Sequence, residues 1–246
     1  MSVTIEQFAD FRESIYNTFT FRADATIDLV DAIASNISAS SPVQLSLNPS
    51  FPRQYSSLHD AVANFFVASD PDNAEAERHA QRMARMRTIA DQCPKPFQRN
   101  FYLFGIDTTG EPRPFANTLE DRGYQYHPNP TPGNKPITVG HSYSIFADLP
   151  EKKGVTSAPW ILPFLTERVP TDKKATTIGA RQISDVLKDE KLPFANHLCD
   201  VVGDTAYSAF VFLDQMAEIK NLVLTVRVRS NRTFYESPVY SALDRL

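Results

Sequence analysis

The chain has 246 residues, of which 42% are hydrophobic, 22% charged and 11% aromatic. That is enough to bury a core, and it excludes a disordered tract, a peptide or a disulfide miniprotein. Its formal charge of -4 argues against a uniformly basic nucleic-acid surface. The longest charge-free stretch, Ala32 to Pro52, is too rich in Ser, Asn and Pro to satisfy a bilayer core, so no membrane partner is expected.

No basic and apolar leader opens the chain, and Cys93 and Cys199 lie too far apart for a CxxC pair, so a reducing cytoplasm is the expected compartment. Thr4 followed by Gln7 reads as a capping box ahead of Ile5, Phe8, Phe11 and Ile15 at helical spacing. A second helix is expected from Ile27, Val30 and Ile33 after Asp24, and another from Leu58, Val62 and Phe65 after Ser56 or Ser57. Ser38 to Ser57 reads as an irregular link.

Between Ala74 and Asp91 a helix would present Arg78, Arg82 and Arg85 on one face. From Arg78 to Arg99 six basic residues stand against one acid, Asp91. Such a face could grip phosphates, or it could be a solvated face paired with Glu75 and Glu77.

Near residue 100 the chain changes character. All eight glycines fall between Gly105 and Gly203, and ten of the eighteen prolines between Pro112 and Pro170. Phe101 to Ile106 suits a buried strand, Ile137 to Leu149 a second strand or hairpin after the Pro-rich 128–136, and Trp160 to Leu165 a third apolar run. Thr177 to Leu187 reads as a helix, Leu198 to Val202 as a short strand, Tyr207 to Ile219 as a helix, and Leu222 to Val228 as a strand with Arg227 and Arg229 opposite its apolar face. Strands alternating with helices indicate an α/β or α+β sheet domain over 100–246, after a mostly helical region over 1–99.

Several standard sites are absent: there is no GxGxxG, GxSxG, HExxH or CxxC, and the five histidines are dispersed. What remains are carboxylates at strand ends. Asp107 follows Phe101 to Ile106, and Asp204 follows Leu198 to Gly203. If the two strands are neighbours, the acids converge on one point, and a carboxylate pair suits Mg²⁺, a hard cation that takes oxygen ligands. The structural alternative is that Asp107 opens the turn Asp-Thr-Thr-Gly and Asp204 caps the next helix.

Tyr102-Leu-Phe-Gly-Ile-Asp107-Thr-Thr-Gly resembles the first strand of the DDE transposases of bacterial insertion sequences, and Asp204-Thr-Ala-Tyr207 resembles the signature around that family's second acid. Leu222 to Tyr235 resembles its fifth strand and the Arg-containing segment beyond. Ser38 to Tyr55 and Asn134 to His141 resemble a cyanobacterial-type subgroup.

The resemblance implies an RNase H-like mixed sheet with flanking helices after a helical N-terminal region. It also implies a cytoplasmic, nucleoid-associated enzyme, as a homodimer on DNA, that cleaves and joins the ends of an insertion sequence with Mg²⁺ or Mn²⁺. Asp107 and Asp204 would be the catalytic metal ligands, with Thr108 supporting the site and Tyr207, Arg229 and Arg232 supporting it or contacting phosphate; independently of the resemblance, the basic face of Arg78, Arg82 and Arg85 is the expected DNA contact.

The family's third acid, a Glu in a Tyr, Arg, Glu, Lys pattern, has no match here, and Glu236 is not assigned to it. The expectation is therefore a C-terminally truncated and impaired transposase. Two alternatives stay open: a non-catalytic DNA-binding or regulatory fragment, and an RNase H-like nuclease whose third acid is Asp148 or Asp200.

Overall fold

A computed structural model describes residues 4–126, 137–152 and 159–233. The chain divides into two compact units, Met1–Lys95 with Glu190–Pro193, and Pro96–Asp189 with Phe194–Leu246.

The first unit is helical: α1 (Ile5–Tyr16), α2 (Ala23–Ala34), a single turn α3 (Pro42–Leu45), α4 (Tyr55–Ala63) and α5 (Ala74–Ala90). The capping box forms as the sequence indicates: Gln7 N donates to Thr4 Oγ1 at 3.2 Å and Thr4 N to Gln7 Oε1 at 3.0 Å. The buried face of α2 keeps Ile27 of the expected stripe but not the rest. Ala25, Leu29 and Ala32 pack with Phe51, Leu58 and Ala61, whereas Val30 and Ile33 point outward. Small residues at the helix contact allow close packing, and an apolar stripe counted by large side chains misses them.

The second unit is built on a six-stranded mixed sheet: β1 (Tyr102–Pro112), β2 (Gly123–Tyr126), β3 (Ile137–Asp148), β4 (Leu162–Val169), β5 (Cys199–Gly203) and β6 (Leu222–Val226). The strand order is β2-β3-β1-β5-β6, and β4 also pairs with β3. β3 runs antiparallel to β1, β2 and β4, whereas β1, β5 and β6 are mutually parallel. Helices α6 (Ala175–Leu187) and α7 (Phe210–Met216) accompany the sheet. This is the RNase H-like arrangement the sequence implied.

The expected helix Tyr207–Ile219 is in fact a 3-10 turn, Thr205–Ser208, followed by α7. The Pro-rich 128–136 lies outside the described residues.

Strand alternation gives the sheet two unlike faces. One face packs Phe104, Phe146, Phe164 and Phe194 as an aromatic cluster, with Phe104 stacked on Phe146 at 5.2 Å and edge-on to Phe194 at 5.1 Å between ring centroids. Ile178, Ile183, Val186 and Leu187 of α6 are buried on the same side. Gly179 of α6 makes the close approach possible, because a Cβ there would lie 2.8 Å from Tyr207 Cε1 and 3.3 Å from Ile106 Cγ1. The opposite face carries the alternate residues of β1, among them Asp107.

Candidate active site

β1 is longer than its apolar run indicates. Thr108 to Pro112 continue the ladder, pairing with Ser144 to Gly140 of β3. Asp107 therefore sits in mid-strand, opposite Ile145, and does not open a turn. On its other side β1 pairs in parallel with β5, Ile106 opposite Gly203. Asp204, still extended at φ -76° and ψ -172°, is the next step of that register beside Asp107. Directly paired residues project from the same face, with neighbouring strands about 4.8 Å apart. Both aspartates accordingly line one cleft of about 440 Å³, together with Gly105, Ile145, Ala147 and Val202.

Each carboxylate is half committed. Asp107 Oδ1 accepts the Thr108 N–H at 2.7 Å, and Asp204 Oδ1 accepts the Ala206 N–H at 2.9 Å as the cap of the 3-10 turn. No described residue bonds the second oxygen of either. Both residues are exposed, so no desolvation cost forces them to pair. Two hard oxygen donors, one from each strand and both facing the cleft, fit a divalent cation such as Mg²⁺ or Mn²⁺. Among the described residues no group of three or more His, Cys, Asp or Glu could hold a metal.

The two alternative third acids are not brought to the pair. Asp148 is opposite Phe104, which puts it on the α6 face and away from Asp107, with 1% of its surface exposed. Asp200 shares the face of Asp204 but is four residues back along β5, about 13 Å at strand rise, and its Oδ1 accepts the Thr225 hydroxyl at 3.0 Å. Glu236 lies outside the described residues.

Beneath Asp107, on the covered face, runs a buried polar chain. Thr108 Oγ1 and Tyr207 Oη are 3.2 Å apart, Tyr207 also bonds the Ser144 hydroxyl, and Ser144 Oγ donates to Gln182 Oε1 at 2.7 Å. Each hydroxyl has one proton to give. Ser144 gives its proton to Gln182, and in the Thr108–Tyr207 pair either hydroxyl can donate. The Gln182 amide closes the chain onto Ser144 O at 3.2 Å.

Burial pushes the Tyr207 hydroxyl above the ordinary tyrosine range; the hydrogen bonds to Thr108 and Ser144 pull it back in part, and the charges of Asp107 and Asp204 raise it further. Tyr207 thus stays protonated and ties the start of the segment after Asp204 to β1 and β3. Ser144 and Gln182 were not expected from the sequence. The available signal was a glutamine at a core position of α6, four residues after Ile178 and next to Ile183.

The expected cations sit elsewhere. Arg229 and Arg232 are exposed beyond the end of β6, where Arg232 N donates to Arg229 O at 3.1 Å, and neither lines the cleft. In the helical unit Arg78 Nε donates to Phe66 O at 3.1 Å and Arg85 Nη2 to Phe65 O at 3.2 Å. Arg85 also stacks over Phe65 at 4.3 Å and Phe66 at 4.9 Å, and burial lowers its pKa. Two of these three guanidinium groups therefore close the chain leaving α4. Arg82 is partly buried on the same helix.

The profile of the DDE superfamily endonucleases matches residues 14–243. The chain belongs to this family. No curated protein matches it. As a DDE superfamily endonuclease it is a nuclease- or transposase-type protein whose substrate is DNA. Among the described residues, no helix is long and apolar enough to cross a membrane.

Proposed function

We propose that this DDE endonuclease is a DNA transposase that cleaves and joins phosphodiester bonds at the ends of an insertion sequence, with Asp107 and Asp204 as its metal-binding carboxylates. One observation carries the reading: two aspartates side by side at one register position of adjacent parallel strands, each with a carboxylate oxygen free toward one cleft. A divalent ion bound there would activate a water or 3′-hydroxyl and stabilise the leaving oxygen.

The chain's own residues supply position. The Thr108 and Ala206 N–H groups fix the two carboxylates, and the chain from Thr108 through Tyr207 and Ser144 to Gln182 holds β1, β3 and the Asp204 turn in mutual register. Arg229 and Arg232 extend positive charge along the chain beyond β6 toward DNA phosphates.

Nicking of supercoiled plasmid with Mg²⁺ or Mn²⁺ tests the reading. Wild type nicks and chelator stops it, while Asp107→Ala and Asp204→Ala each lower the rate by about a thousandfold, the scale of metal-assisted charge stabilisation. Undiminished nicking by Asp107→Ala would refute it. DNA binding without metal-dependent nicking in wild type would favour a non-catalytic DNA-binding role.

A further inference from the structure

We infer that Arg227 is a phosphate-contacting residue of the aspartate site, gripping the non-bridging oxygens of the phosphodiester that the acid pair addresses. The inference rests on the transposase reading above and adds to it a residue that neither the motif comparison nor the cleft lining identifies.

β6 pairs in parallel with β5, Val202 opposite Thr225 and Gly203 opposite Val226. The ladder goes one step further, because Arg227 N donates to Gly203 O at 3.2 Å. Arg227 is thereby the lateral neighbour of Asp204, as Asp204 is of Asp107. The three residues form one row across the ends of three parallel strands.

Alternation puts them on one face. On β6, Leu222, Leu224 and Val226 are half-buried while Val223, Thr225 and Arg227 are exposed. Side chains of β5 and β6 do meet on that face, since the Thr225 hydroxyl donates to Asp200 Oδ1 at 3.0 Å. The row therefore reads acid, acid, guanidinium from β1 to β6.

Its charges explain why an arginine suits the third place. The two carboxylates alone repel a phosphodiester, and a divalent cation between them only neutralises the pair. A guanidinium one strand further supplies the remaining positive charge and a planar fork matched to two phosphate oxygens. The Arg227 side chain has no hydrogen bond or ion pair with any described residue, so its donors are free for a ligand. Arg78 and Arg85, by contrast, give theirs to main-chain carbonyls.

The test separates this residue from the site it serves. Binding of a fluorescein-labelled blunt DNA duplex is measured by anisotropy across a salt series in Ca²⁺, and Mn²⁺ binding without DNA is measured by electron paramagnetic resonance. Arg227→Gln weakens DNA binding by about tenfold and lowers the salt slope by about one, while leaving Mn²⁺ affinity and the unfolding midpoint at wild-type values. Arg227→Lys keeps the slope but recovers only part of the affinity, because it lacks the fork.

Wild-type affinity and slope in Arg227→Gln would overturn the inference and leave the aspartate site standing. A loss of Mn²⁺ binding in Arg227→Gln equal to that in Asp204→Asn would also overturn it, by assigning Arg227 to the acid pair rather than to phosphate. Absence of both DNA and Mn²⁺ binding in wild type would remove the transposase reading and this inference with it.

Discussion

The two faces of the sheet treat polar groups in opposite ways. On the α6 face every step is closed: Phe104, Phe146 and Phe194 are fully buried, and Thr108, Tyr207, Ser144 and Gln182 bond one another. On the other face Asp107 and Asp204 each keep an unused oxygen in an open cleft. A single strand serves both, since Ile106 and Thr108 point to one side and Asp107 to the other. Packing on the first face is thus what gives the second its geometry, and the two should respond differently to substitution.

The largest divergence is expected between Phe104 and Asp107. Phe104→Ala empties the centre of the aromatic cluster and should cost about 3–5 kcal/mol in chemical denaturation. Asp107→Asn or Asp204→Asn should change stability by less than about 0.5 kcal/mol while removing metal binding, as expected for exposed positions. Equal stability losses at Phe104 and Asp107 would erase the distinction.

Next in size is Gln182→Leu. It strips the Ser144 hydroxyl and carbonyl of their partner in a buried setting, at about 2 kcal/mol, and weakens the tie between β3 and the turn after Asp204 through Tyr207. A stability unchanged from wild type would show that the polar chain is incidental.

Smaller and chemical is the contrast between thiols. Burial, with the charge of Asp148 adding to it, pushes the Cys199 thiol up to about 12, whereas Cys93 is only half-buried. Because the thiolate is the reactive form, a maleimide at neutral pH should label Cys93 first and Cys199 only after unfolding, as read by mass spectrometry.

The smallest effect is one of pH. Burial would raise the Glu151 carboxyl, but backbone N–H donors from Phe97, Gln98 and Arg99 at 2.7, 2.9 and 2.7 Å, with the charge of Arg99, bring it below its ordinary range. A depressed folded-state value stabilises fully above the unfolded glutamate value of about 4.3 and is lost as pH falls through the lower folded value. Glu151→Gln should therefore flatten the acid limb of the stability profile in that window. An identical profile in the variant would dismiss the contribution.

Much of this was legible in the chain where an apolar period reported burial directly. The strands around Phe104, Val201 and Leu224, and the helix over Ala175–Leu187, follow from that signal. The extension of β1 through Thr108-Thr109-Gly110 did not, because those residues have a turn-like composition and are strand only through pairing with β3. Arg78 and Arg85 read as a basic face because sequence records charge and not the backbone carbonyls of residues 65 and 66 that consume it. The adjacency of Asp107 and Asp204 needed the parallel pairing of β1 with β5, a long-range fact that no local pattern contains.

The most direct measurement is a Mn²⁺ titration of the full chain by calorimetry, with wild type, Asp107→Asn and Asp204→Asn compared at one pH. Saturable binding is expected in wild type, and either substitution alone abolishes it, because the two carboxylates act as one site. Binding of equal affinity and stoichiometry in all three proteins would contradict it.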